Sequence, residues 1–123
     1  MKKLIALLAL LPSLALADTI TIDCTYTEFA QPDGLHKTES NFNLKFLIDK
    51  KTGQSYILGN NGSAEVISTG TDEQLTFLEV TGVKNVMSTT IVIDSGESVH
   101  SRNTVSFGKL IPSQYYGECL MGL

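Results

Sequence analysis

The chain carries two histidines, one arginine, two cysteines and thirteen acids, and their spacing limits what chemistry it can do. Asp33 and His36 lie three residues apart around a turn and could both reach one metal ion. A closed metal site needs three or four ligands, and no further ligand lies close in sequence, so the pair reads as a solvated turn and no metal is expected. His100-Ser101-Arg102 sits within a strand-like segment. Alternation places His100 and Arg102 on one face, with Val99, Ser101, Asn103 and Val105 on the other. Nucleophilic catalysis needs the serine, its base and an orienting acid to converge, and the chain has no Gly-x-Ser-x-Gly elbow. The acids fall at turns and on polar strand faces, and no two stand out as a glycosidase-type pair. No catalytic residue and no cofactor are therefore assigned, and the protein is read as a non-enzyme.

Binding is the remaining use for these groups. Arg102 with His100 is expected to form a small polar patch on an outer sheet face, or to pair there with an acid across strands. In Pro112-Ser113-Gln114-Tyr115-Tyr116-Gly117-Glu118-Cys119 the adjacent tyrosines must face opposite ways. One is expected in the core near the disulfide, the other exposed as an amphipathic anchor. Asn60 and Asn61, with Gly62, occupy an exposed loop. Asn61-Gly62-Ser63 matches a glycosylation sequon, although the bacterial look of the N-terminus argues against modification. The candidate binding surface is thus His100, Arg102, Tyr115, Tyr116, Asn60 and Asn61.

The N-terminus reads as an export signal. Lys2 and Lys3 precede an unbroken apolar run over residues 4–11, Pro12 and Ser13 break it, and Ala15-Leu16-Ala17 supplies a cleavage site before Asp18. The apolar stretch of about 14 residues falls short of the roughly 20 that a spanning helix needs. A cleaved signal over 1–17 is expected, with delivery to the periplasm or the extracellular medium. Losing Lys2 and Lys3 takes the formal charge from −4 to −6. A mildly acidic chain with one arginine is a poor ligand for nucleic acid, and no later apolar run is long enough to span a membrane.

The remaining residues, 18–123, read as a single all-β domain. Ile20, Ile22, Cys24 and Tyr26 alternate with polar residues, as do Phe42, Leu44, Phe46 and Ile48. Turn signals follow at Gln31-Pro32-Asp33-Gly34, Lys50-Lys51-Thr52-Gly53, Asn61-Gly62, Thr69-Gly70-Thr71-Asp72, Thr81-Gly82 and Asp94-Ser95-Gly96. About eight strands in an antiparallel meander result. Cys24 and Cys119 stand near the two ends of this domain, and an oxidising compartment favours a bond between them. Joining first and last strands points to a closed barrel; a two-sheet β-sandwich is the alternative. The expected inward set is Ile20, Tyr26, Phe42, Phe46, Leu58, Phe77, Ile91 and Ile93. Residues of that bulk predict a filled interior in a barrel of eight strands. The strand 75–80, apolar on both faces, predicts either a covered outer side or a bulge.

At the level of architecture the chain resembles small exported bacterial β-barrels, such as periplasmic lysozyme inhibitors and lipocalin-like carriers. Three uses follow. The first is non-enzymatic binding of a protein or glycan partner. The second is inhibition of a hydrolase such as lysozyme or a protease. The third is carriage of a small apolar ligand.

Overall fold

The structure, a computed structural model, describes residues 18–59 and 62–122. The expected signal segment with Ala17, and the loop residues Asn60 and Asn61, lie outside the described residues. Eight strands follow one another: β1 (Thr19–Gln31), β2 (Gly34–Asp49), β3 (Ser55–Gly59), β4 (Gly62–Gly70), β5 (Gln74–Val80), β6 (Val86–Val92), β7 (Glu97–Ser106) and β8 (Lys109–Gly122). Each pairs antiparallel with the next, and β1 also pairs with β8, so the sheet closes into an up-and-down barrel. Closure satisfies both edges of the meander and excludes the sandwich. Among the described residues, no helix is long and apolar enough to cross a membrane.

The seam between β1 and β8 is stapled. Cys24 stands opposite Cys119 in the register, and their sulfurs are bonded. Both point inward and are almost fully buried. Around them lies a packed half of the barrel that contains Ile22, Phe46, Val66, Phe77 and Ile91. Phe46 and Phe77 stack with ring centroids 4.2 Å apart. This end holds the apolar mass that alternation predicted.

Several expectations shift. Leu58 faces outward, and Ser55 and Ile57 take the inner positions of β3. Ile93 lies beyond β6 in the β6–β7 turn and is 37% exposed. Strands β2 and β8 are also longer than the apolar pattern implied, because their extensions form hairpins whose residues have no core to face. Pro112 lies inside β8 past the last β1–β8 pair, Ala30 with Gln114. One side of the strand is an edge there, which is where proline is tolerated. The β7–β8 hairpin turns on Phe107 and Gly108, both at positive φ (52° and 73°), as a two-residue turn of this hand requires. Ile67 and Leu78 pair on the outer face. Ile67 is 64% exposed, so no layer of the described residues covers β5 from outside.

A bulge breaks the alternation of β1. Its register with both neighbours shifts between Tyr26 and Glu28. Thr38 donates from its hydroxyl to the carbonyl of Thr27 at 3.2 Å, which satisfies backbone that the bulge leaves unpaired. Beyond it Phe29 pairs with Tyr115 and stacks on it at 5.3 Å. The bulge therefore re-aims the end of β1 and adds an aromatic ring to the inner surface.

Candidate functional site

Register builds the site row by row. Tyr26 and Ser98 both flank Gly117 in one inward row. The next row places Phe77, Thr89, His100 and Tyr115 side by side. The row beyond it holds Glu79, Met87 and Arg102. Paired residues share a face of the sheet, so His100 and Arg102 point into the barrel. The outer-face placement expected from sequence is thus corrected. The valines misled: Val99 and Val105 occupy the outer face, and Val105 is 64% exposed. The inner face of β7 is polar because its neighbours satisfy it.

Ser98 is buried and donates to the carbonyl of Thr90 at 3.0 Å. Its proton being used there, the hydroxyl of Tyr26 donates to Ser98 at 2.9 Å. Burial pushes the Tyr26 phenol up to about 12. His100 is 1% exposed, and its Nδ1 lies 2.7 Å from the hydroxyl of Thr89. Burial pushes the His100 imidazole down to about 4, with a further push from the Arg102 charge. It is neutral at neutral pH.

Rings surround these groups. Phe42 lies 5.8 Å from Tyr26, 5.8 Å from His100 and 4.9 Å from Tyr115, centroid to centroid. The guanidinium carbon of Arg102 sits 5.2 Å from the Phe42 centroid and 5.1 Å from that of Tyr115. Tyr115 thus joins an aromatic cluster in the barrel and packs against the core that contains the disulfide. Tyr116 takes the other face, where its hydroxyl donates to the side-chain Oε1 of Gln114 at 3.0 Å.

Above this polar floor the barrel is hollow. A cavity of about 560 Å³ is walled by Phe42, Leu44, Ile57, Ala64 and Met87, with His100, Arg102 and Glu79 as its ionisable lining. It is open to solvent on one side, and Gly62 and Ser63 of β4 with Thr81 and Gly82 after β5 also line it. The filled interior expected from side-chain bulk is corrected: the bulky residues crowd one end and leave the other open. Small residues make the space, since Gly59 and Ala64 occupy inner positions where a large side chain would close it.

Asp33 and His36 bond each other at 2.8 Å, and His36 stacks on Phe29 at 5.1 Å. That hydrogen bond holds the Asp33 carboxyl below its usual range. Among the described residues, no three His, Cys, Asp or Glu side chains gather as metal ligands. Ser101 faces away from His100, and Gln114 donates to its hydroxyl at 3.4 Å. Comparison with protein-family models, with curated proteins and with solved structures found no match.

Acid should weaken the fold through His100. With a folded value of about 4 against the ordinary 6.5, the unfolded chain takes the proton more readily. The stabilisation is whole above pH 6.5 and drains away as pH falls from 6.5 towards 4. Between pH 7 and pH 4.5 the wild type should lose about 2 kcal/mol more than His100→Gln. Urea unfolding of both at the two pH values checks this, and equal losses would contradict it.

Proposed function

We propose that this protein is an exported, non-enzymatic binding protein that holds a small, largely apolar ligand in the open half of its barrel. The cavity carries the reading. Its volume of about 560 Å³ falls in the range of roughly 300–1,000 Å³ usual for small-molecule sites. Its walls combine an apolar set, Phe42, Leu44, Ile57, Ala64 and Met87, with the polar groups of His100 and Arg102, a mixture that lets such a site bind by burial and orient by hydrogen bonds. The packed, disulfide-stapled half provides a rigid base for the hollow one. Export is supported by the Lys2-Lys3 start, the apolar run over residues 4–11 and the disulfide. A non-catalytic role is supported by the geometry of His100. Its Nδ1 is engaged by Thr89, and Ser101 lies on the opposite face.

A neutral apolar fluorophore, phenylnaphthylamine, tests the reading. Saturable binding with one site per chain is expected, with loss of binding in Ala64→Trp, whose indole fills the cavity. Absence of saturable binding to the wild type would overturn it.

The β7–β8 hairpin supports a second reading. Its tip residue Phe107 is fully exposed, as a residue that plugs a hydrolase cleft would be. Titration into lysozyme and protease assays decides this reading: inhibition lost in Phe107→Ser supports it, and undiminished hydrolase activity removes it.

A further inference from the structure

The polar end of the cavity has more donors than the protein can satisfy. Nε2 of His100 and Nε of Arg102 are both buried, and neither has a hydrogen-bond partner. Among the described residues no acid lies within ion-pair distance of Arg102. Glu79, the acid that lines the same cavity, stands two strands away with Met87 between them. Contact with the faces of Phe42 and Tyr115 steadies the guanidinium, but rings offer it no acceptor.

The tautomer of His100 sharpens the point. The Thr89 hydroxyl has one partner among the described residues, Nδ1 of His100. Were Nδ1 to carry the proton, the buried hydroxyl hydrogen would have no acceptor. Donation by Thr89 to Nδ1 satisfies it and leaves the imidazole proton on Nε2. His100 and Arg102 then present N–H groups without acceptors beside a fixed positive charge. Buried donors are normally satisfied, and here two of them stand unpaired at a fixed positive charge on the cavity lining.

We infer that the ligand carries an oxyanion head, a carboxylate or a phosphate, held by Arg102 and the Nε2–H of His100 while its apolar body fills the cavity. This rests on the small-ligand reading of the same cavity and names its ligand class. The apolar body follows from the Leu44, Ile57 and Met87 walls, and a planar guanidinium suits an oxyanion. The chain as a whole repels anions, with a formal charge of −4. A preference for an acidic ligand would therefore come from these two residues and not from net charge.

The test is competition against phenylnaphthylamine by decanoate and by decanol, which share a body and differ in the head. Decanoate should displace the fluorophore from the wild type at concentrations about tenfold lower than decanol, the gain expected of a charge-assisted hydrogen bond. In Arg102→Gln the two should become equal, or decanol the stronger. Decanol matching or beating decanoate on the wild type would overturn the oxyanion head and leave the cavity reading intact. That comparison needs no variant, so a folding defect in Arg102→Gln cannot obscure it. Failure of phenylnaphthylamine itself to bind would remove the cavity reading and this inference together.

Discussion

With alanine at both Cys24 and Cys119, the protein is expected to lose about 4–5 kcal/mol of unfolding free energy. The bond closes a loop with a sequence separation of 95 residues, and on the chain-entropy view long loops gain most from closure. Position adds to length. Cys24 and Cys119 face each other across the seam that turns the meander into a barrel. Without the bond, β1 and β8 must meet through backbone pairing and packing alone. A domain of this size has total stability of only roughly 5–15 kcal/mol, so the expected loss is a large fraction of it. Equilibrium urea unfolding of the oxidised wild type and the double variant measures the difference. A loss below about 1 kcal/mol would show that the seam holds without its staple.

Gly117→Val is expected to cost about 4 kcal/mol or more, at the far end of single-substitution effects. Gly117 sits opposite the β1 bulge, where the two backbones come unusually close. A Cβ there would collide with the carbonyl oxygen of Thr25 and meet the Cα of Tyr26 at 2.7 Å. These are backbone atoms on a paired strand, so no rotamer change relieves the clash; β1 or β8 must move. Movement at this point would also disturb the Tyr26–Ser98 hydrogen bond beneath the cavity. Gly122→Val at the end of the same strand is the control, because the nearest atom to its Cβ is 3.5 Å away. The prediction is read from the urea midpoints of both variants. Similar midpoints would mean the close approach at Gly117 is not what keeps glycine there.

Sequence patterning made the barrel legible and its interior only half legible. Period-two alternation with a turn signal between strands is a local property, and the meander followed from it. Two cysteines at the ends of the domain then supplied the long-range constraint that local patterns lack. The phase of β7 is hidden because its apolar residues Val99 and Val105 lie on the outer face. In this strand the core-facing residues are Ser98 and His100, made tolerable by Thr89, Thr90 and Tyr26 on other strands. No rule applied to β7 alone reveals partners on β1 and β6. The inward position of Leu58 failed for a related reason: β3 has apolar residues at Ile57 and Leu58 in succession, and only pairing with β2 and β4 decides which faces in. The cavity was the least visible feature. It depends on where bulky residues gather along the barrel axis, and composition averages over that axis. His100, Arg102 and Tyr115 were nonetheless legible as the unusual groups of the chain, and the barrel brings all three together. Tyr116 is turned away from them.

The picture that results is a cup with a stapled, filled base and an apolar, open bowl, whose floor carries unpaired donors. The most direct test of that division is a map of backbone amide chemical shifts as phenylnaphthylamine is titrated into the wild type. Shifts should concentrate at Gly59, Ala64, Met87, His100 and Arg102, while Ile22, Val66, Ile91 and Cys119 in the filled half stay in place. Shifts confined to the outer face, around Ile67 and Leu78, or spread through the filled half, would contradict binding in the bowl.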